Sequence, residues 1–240
     1  MKEFLSKMNF VDASGLLLFV LCLALLPSIA KNSLGKKKPA YLKLIPVYIF
    51  LIFVQGVIGE LDLFLQPWKR GKHSVVNTSL FIFIQFEYSI FAFLLSRFIE
   101  HRIVKRFLIF SCPLFITIAI MVWYFTPHIY KIFSTTTIIE SLTLVPFCLY
   151  YFFQLLQKPP LFKLTDDPSF WITAGILFLF TIITPFYILD DYLINDRALE
   201  IIDYIGYYVV VLLFAKASFI KPKKVQIQAE VKFGLDAKDL

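Results

Sequence analysis

The chain alternates between long apolar stretches and short polar ones. A membrane-crossing helix needs about 20 consecutive, mostly apolar residues. Seven stretches qualify: Phe10 to Ala30, Leu44 to Leu65, Thr78 to Ile99, Phe107 to Phe125, Thr135 to Leu156, Phe170 to Leu193 and Tyr204 to Ile220. They are apolar on every side. A membrane barrel would instead show short segments with every second residue apolar. The pattern therefore predicts an all-α membrane protein, a seven-transmembrane helix bundle. Residues 1–220 form one transmembrane domain, and residues 221–240 a flexible cytoplasmic tail.

Composition sharpens this picture. Of the 240 residues 59% are hydrophobic, and 28 are Phe. Soluble domains carry roughly 45–50% apolar residues, and their cores cannot absorb this much more. Charged residues make up only 17% and gather between the apolar stretches.

The net charge of +7 sets orientation rather than marking a nucleic-acid partner. Such a partner would need a basic domain with base-stacking or base-reading groups, and the connections here are too short to hold one. Cytoplasmic loops are enriched in Lys and Arg. With the N-terminus out and the C-terminus in, the inner side holds Lys31, Lys36, Lys37, Lys38 and Lys43, then Arg97, Arg102, Lys105 and Arg106. Lys158, Lys163 and the basic residues from Lys216 onward complete that set. The outer side holds Lys2, Lys7, Lys69, Arg70, Lys72, Lys131 and Arg197. Acidic residues show the opposite bias: Asp190, Asp191, Asp196, Glu200 and Asp203 crowd the connection before the seventh stretch. The first stretch has features of a signal peptide, ending in Ser28-Ile29-Ala30, but the lysines that follow stop transfer. A retained first helix is the expectation. Trp68, Trp123, Trp171 and many Tyr residues fall near predicted boundaries, as interfacial anchors do.

Polar residues inside the spans are the candidates for chemistry. A charge at membrane depth costs at least about 2.5 kcal/mol on insertion scales and so marks a functional site by default. Glu87, beside Gln85 in Phe83-Ile84-Gln85-Phe86-Glu87, is the clearest. Glu140 lies on one helical face with Thr136 and Thr143, at i, i+4 and i+7. Glu87 and Glu140 both fall in the outer half of the membrane, where they have the depth to share a cavity as ligand-binding or proton-coupling groups. The competing reading for both is structural hydrogen bonding between helices. Gln55, Gly56, Gly59, Glu60 and Asp62 follow closely in the second stretch. The glycine pair would permit close helix approach, and Glu60 and Asp62 reach the outer interface. Asp190 and Asp191 head an outer acidic loop. Pro146 and Pro185 are candidates for shaping a pocket through kinks.

Other chemistries find little support. Cys22, Cys112 and Cys148 lie inside apolar stretches and read as small hydrophobes. His73, His101 and His128 sit in separate connections, so no metal site is expected. The Asp190–Asp196 segment superficially resembles the aspartate-rich motifs of membrane prenyltransferases, but it occurs once and on the outer side. Lys216 invites comparison with a retinal-binding lysine, yet it lies close enough to the basic end to snorkel. No hydrolase, nucleotide or zinc-protease motif occurs, so the motifs give no evidence of enzyme activity, and no cofactor is expected.

Three segments resemble seven-helix integral membrane proteins of the Bacteroidetes type: Phe81 to Glu87, Glu140-Ser141-Leu142 leading to Tyr150-Tyr151-Phe152-Phe153, and Asp167-Pro168-Ser169-Phe170-Trp171-Ile172 with Gly175. That resemblance implies a bacterial inner-membrane sensor module without its own output domain. The leading expectation is a receptor-like or accessory signalling protein that senses through outer-facing carboxylates, with a membrane or cytoplasmic signalling partner and room for a homo-oligomer. The alternatives are a small proton-coupled transporter using Glu87 and a membrane-embedded lipid enzyme.

Overall fold

The computed structural model describes residues 10–35, 38–65, 75–157, 164–189 and 196–220. Seven helices among them are long and apolar enough to cross a membrane. They are α1 (Phe10–Ser33), α2 (Leu44–Leu65), α3 (Val75–Phe98), α4 (Arg102–Phe125), α5 (Ile129–Leu156), α6 (Pro168–Ile188) and α7 (Asp196–Phe219). Short 3-10 turns, Ala40–Lys43 and Leu164–Asp166, lead into α2 and α6. The described residues contain no strand. This is the architecture of a multi-pass membrane protein, built so that each backbone amide is satisfied within its own helix.

The ends differ from the apolar runs in consistent ways. α4 begins at Arg102 rather than Phe107, and α5 at Ile129 rather than Thr135. Helices continue past the apolar limit because polar side chains can ride the helix into the interface. α6 begins at Pro168 because Asp167 caps it: the Ser169 amide donates to Asp167 Oδ1 at 2.9 Å, and proline suits the first helical position. It ends at Ile188, short of Leu193. α7 begins at Asp196, so Asp196, Glu200 and Asp203 belong to a helix, not to a connecting loop.

The helices form a closed ring. Each packs on the next in chain order, and α7 closes against α1. α3 also touches α5 and α6 and so crosses the interior. Burial agrees: 44% of the α3 and α5 spans is buried, against 22% of α4 and 17% of α1. The tightest approach is between α6 and α7. A Cβ on Gly206 would meet Leu179 Cδ1 at 2.8 Å, and one on Gly175 would meet the Phe214 ring at 3.1 Å. The expected role of Gly56 and Gly59 is not met, since a Cβ on either would have nothing within 4 Å.

One lysine ties the ring shut at the end where α1, α3, α5 and α7 finish. Lys38 Nζ donates to the carbonyls of Ile220 (3.1 Å) and Ser218 (3.4 Å). These are the free carbonyls at the end of α7, where a cation is favoured. Nearby, Lys216 Nζ lies 3.4 Å from the Trp171 ring centroid, and Trp171 Nε1 donates to the Thr165 carbonyl. Lys216 is exposed, as snorkelling requires. Pro27, Pro113, Pro146 and Pro185 lie inside helices with their side chains exposed, so none lines the interior.

Candidate functional site

Among the described residues, the interior of the ring holds buried carboxyls at one level. There α3 carries Glu87, 3% exposed, and α5 carries Glu140, 1% exposed. Two tyrosines hold Glu87 from opposite sides. Tyr48 of α2 donates its hydroxyl to Oε1 at 2.5 Å, and Tyr207 of α7 donates to Oε2 at 3.1 Å. The two carboxylate oxygens therefore bind α3 to α2 and to α7. Glu140 lies within electrostatic range of Glu87, and its Oε1 is buried without a hydrogen-bond partner among the described residues. No lysine or arginine among the described residues stands against either carboxyl. The groups acting on Glu87 are Tyr48, Tyr207 and Asp203.

Helical periodicity explains the surroundings. Phe83, Glu87 and Phe91 lie at i−4, i and i+4 on one face of α3. Phe83 lies near Tyr48 (6.5 Å between centroids) and Tyr207 (6.2 Å). On the other side of the carboxyl, Phe91 packs on Tyr48 (4.9 Å), Phe180 (6.0 Å) and Phe214 (6.1 Å). Phe91, Phe180 and Phe214 are almost wholly buried and form an aromatic floor, with Leu94 and Leu95 beyond them. Farther along, Tyr151 and Ser169 share a hydrogen bond of 2.7 Å, and Tyr41 and Tyr151 both pack on Phe98.

The groups acting on Glu87 continue in the opposite direction, while Tyr151, Ser169 and Thr173 form a separate polar set beyond the floor. Asp203 lies one turn before Tyr207 on α7, acts electrostatically on both Tyr207 and Glu87, and accepts a 2.6 Å hydrogen bond from the Tyr187 hydroxyl of α6. Tyr187 and Asp203 lie near the α6–α7 connection and are half-buried. A string of carboxyl and hydroxyl groups thus runs from that end of the bundle to its middle and stops at the aromatic floor. A side branch joins α3 to α4: Tyr88 donates to Ser111 Oγ (2.7 Å), which donates to the Leu108 carbonyl (2.6 Å). Another joins α6 to α5 through Thr184 and Ser141.

Glu87 and Glu140 are thus both buried and within electrostatic range of each other. Thr136 is buried beside them on α5, but its hydroxyl turns back to the Ile132 carbonyl (2.8 Å). Thr143 is half-buried, donates to the Ile139 carbonyl (2.8 Å) and interacts with Tyr88. Gln85 lies round the helix from Glu87. Its Nε2 reaches the Phe81 carbonyl at 3.5 Å, and its Oε1 has no partner among the described residues. Glu60 and Asp62 occupy the far end of α2, and their side chains lie outside the described residues, as do Asp190 and Asp191 entirely. Tyr48, Tyr207, Asp203 and Tyr187 were not anticipated. Tyr207 stands in the middle of α7, and that depth was the available signal that it is not an interfacial anchor, whereas Tyr48 lies one turn from the start of α2 and gave no such signal.

No family model, curated protein or solved structure matches the chain. The site's chemistry is therefore the basis for any functional reading. Two carboxyls within electrostatic range of each other, with no basic partner among the described residues, would cost several kcal/mol each if ionised in the apolar interior. A cationic species removes that cost.

Proposed function

We propose that the chain is a receptor-like signalling module of a plasma (inner) membrane, N-terminus outside and C-terminus in the cytoplasm. It senses a small cationic species at Glu87 and Glu140 and passes the response through α7 to a partner at the tail. The observation that carries this reading is the polar string that reaches Glu87. It leads from the α6–α7 end to Glu87 and ends at Phe91, Phe180 and Phe214. A sensor needs access from one side and a seal toward the other. The basic residues at the sealed end support the orientation. The link from Glu87 to α7 through Tyr207 supports the output path, because α7 leads directly into the tail.

The test is in-cell crosslinking from an epitope on the tail, followed by purification in mild detergent and mass spectrometry. A signalling protein that co-purifies with the wild type, and whose capture changes in Glu87→Gln, supports the reading. A chain that comes alone or as a homo-oligomer, and whose deletion alters no response, overturns it.

A second reading, a proton-coupled carrier, draws on the unpartnered Oε1 of Glu140, an acceptor free to relay a proton. It requires the aromatic floor to open. Flux in proteoliposomes that Glu87→Gln abolishes would favour it. A lipid-modifying centre would need its polar cluster at headgroup level, whereas this cluster sits at mid-helix.

A further inference from the structure

We propose that the species bound at this site is the proton: Glu87 and Glu140 form one proton-binding unit, loaded only from the α6–α7 end through Asp203, Tyr187 and Tyr207. The inference deepens the receptor reading and rests on it for the direction of access.

The first argument is volume. Tyr48 and Phe91 are fully buried, and Glu87 and Glu140 are within a few per cent of it. A ligand with a heavy atom would have to displace this packing, and cores resist overpacking. A proton displaces nothing.

The second argument is the asymmetry of donors. Two hydroxyl donors are aimed at Glu87. Glu140 has none on Oε1. Hydrogen bonds to a carboxylate stabilise its charged form, so the pair's negative charge resides on Glu87 and its proton on Glu140. Two carboxyls that interact electrostatically in an apolar interior titrate as a pair, not as independent groups.

The third argument is connection. The titratable groups facing the pair are Tyr48 on α2, Tyr88 on α3, and Asp203 and Tyr207 on α7, with Tyr187 of α6 behind Asp203. All those off α3 except Tyr48 lie toward the α6–α7 end. When a second proton enters, it bonds to a Glu87 oxygen and the pair becomes neutral. The bonds from Tyr48 and Tyr207 then change from charge-assisted to ordinary ones, about half as strong. Their weakening loosens the hold of α3 on α2 and α7 together, and α7 leads to the tail.

The experiment is infrared difference spectroscopy of the full chain in lipid nanodiscs during a pH titration. The wild type should show a standing protonated-carboxyl band, and uptake of about one further proton at the pair. Glu140→Gln should remove the standing band, and Glu87→Gln should remove the uptake. Tyr207→Phe keeps both carboxyls and should move the uptake midpoint, which covers the case where a Gln variant fails to fold. Unchanged bands in both Gln variants, or an unchanged midpoint in Tyr207→Phe, overturn the proposal. In oriented liposomes an acid jump on the α6–α7 side should produce the signal and one on the other side should not. Equal signals from both sides overturn the one-sided loading. A partner captured at the tail with no proton signal would sink this proposal and leave the receptor standing. A proton signal with no partner would do the reverse.

Discussion

Glu87 is the residue on which the interior depends. Both of its oxygens are used, by hydroxyls from two other helices. Removing a donor from a buried acceptor costs about 1–3 kcal/mol in soluble proteins and less on average in membranes. Tyr48→Phe should therefore destabilise the bundle by about 1–2 kcal/mol. Tyr207→Phe should cost less, because its bond is longer and its ring less deeply enclosed. Unfolding in mixed micelles with increasing denaturing detergent would give the order, and the reverse order would contradict the geometry. The sequence pointed to Glu87 and Glu140 because carboxylates at that depth break the apolar pattern. It did not point to the tyrosines, whose amphipathic rings are ordinary at a membrane surface. Only the folded chain reveals that Tyr48 faces inward at the level of Glu87.

At the scale of the helices, hydropathy revealed seven elements but not their neighbours. Glycine spacing suggested that α2 makes a close contact through Gly56 and Gly59, whereas the close contact is between α6 and α7 at Gly175 and Gly206. A small residue is necessary for close approach but does not say which face has a partner. Gly206→Ala should lower the melting temperature in detergent by an amount equivalent to about 1 kcal/mol or more, from overpacking against Leu179 and Ile183. Gly56→Ala has open space around it and should be neutral or slightly stabilising, since alanine favours the helix. Equal effects at the two positions would contradict the packing. At the α6–α7 seam, Lys216→Gln should cost about 0.5–1 kcal/mol through loss of the contact with Trp171, read as a small shift in the same melting curve. Helix ends were the least legible feature. Apolarity stops at the membrane surface, but a helix stops where a cap such as Asp167 ends it.

For the whole molecule, the proposed topology of seven crossings has the two termini on opposite sides, and the distribution of lysine and arginine is the argument for its direction. Alkaline phosphatase fused after Lys131 should be active, and the same enzyme fused after His101 should be inactive. Activity at His101 instead would reverse the bundle and with it the side from which Glu87 is reached. That the chain is helical and membrane-spanning could be read from hydropathy alone. The ring and the central place of α3 could not, because spans with apolar surfaces all round look alike until packing chooses which of them face lipid.

The order in which the helices emerge has its own consequence for biogenesis. Tyr48 lies 39 positions before Glu87, whereas Tyr207 lies 120 positions after it. A nascent chain that has delivered only its first three helices can quiet one oxygen of the glutamate. The other oxygen waits until α7 has been made, and the clasp of Lys38 on the last carbonyls of α7 closes no earlier. A chain truncated before α7 would carry a half-satisfied carboxylate in the middle of the bilayer and an ungathered lysine at its edge. Those two marks distinguish an unfinished copy from a finished one, and a membrane protease or chaperone that recognises exposed polar groups within lipid can act on them.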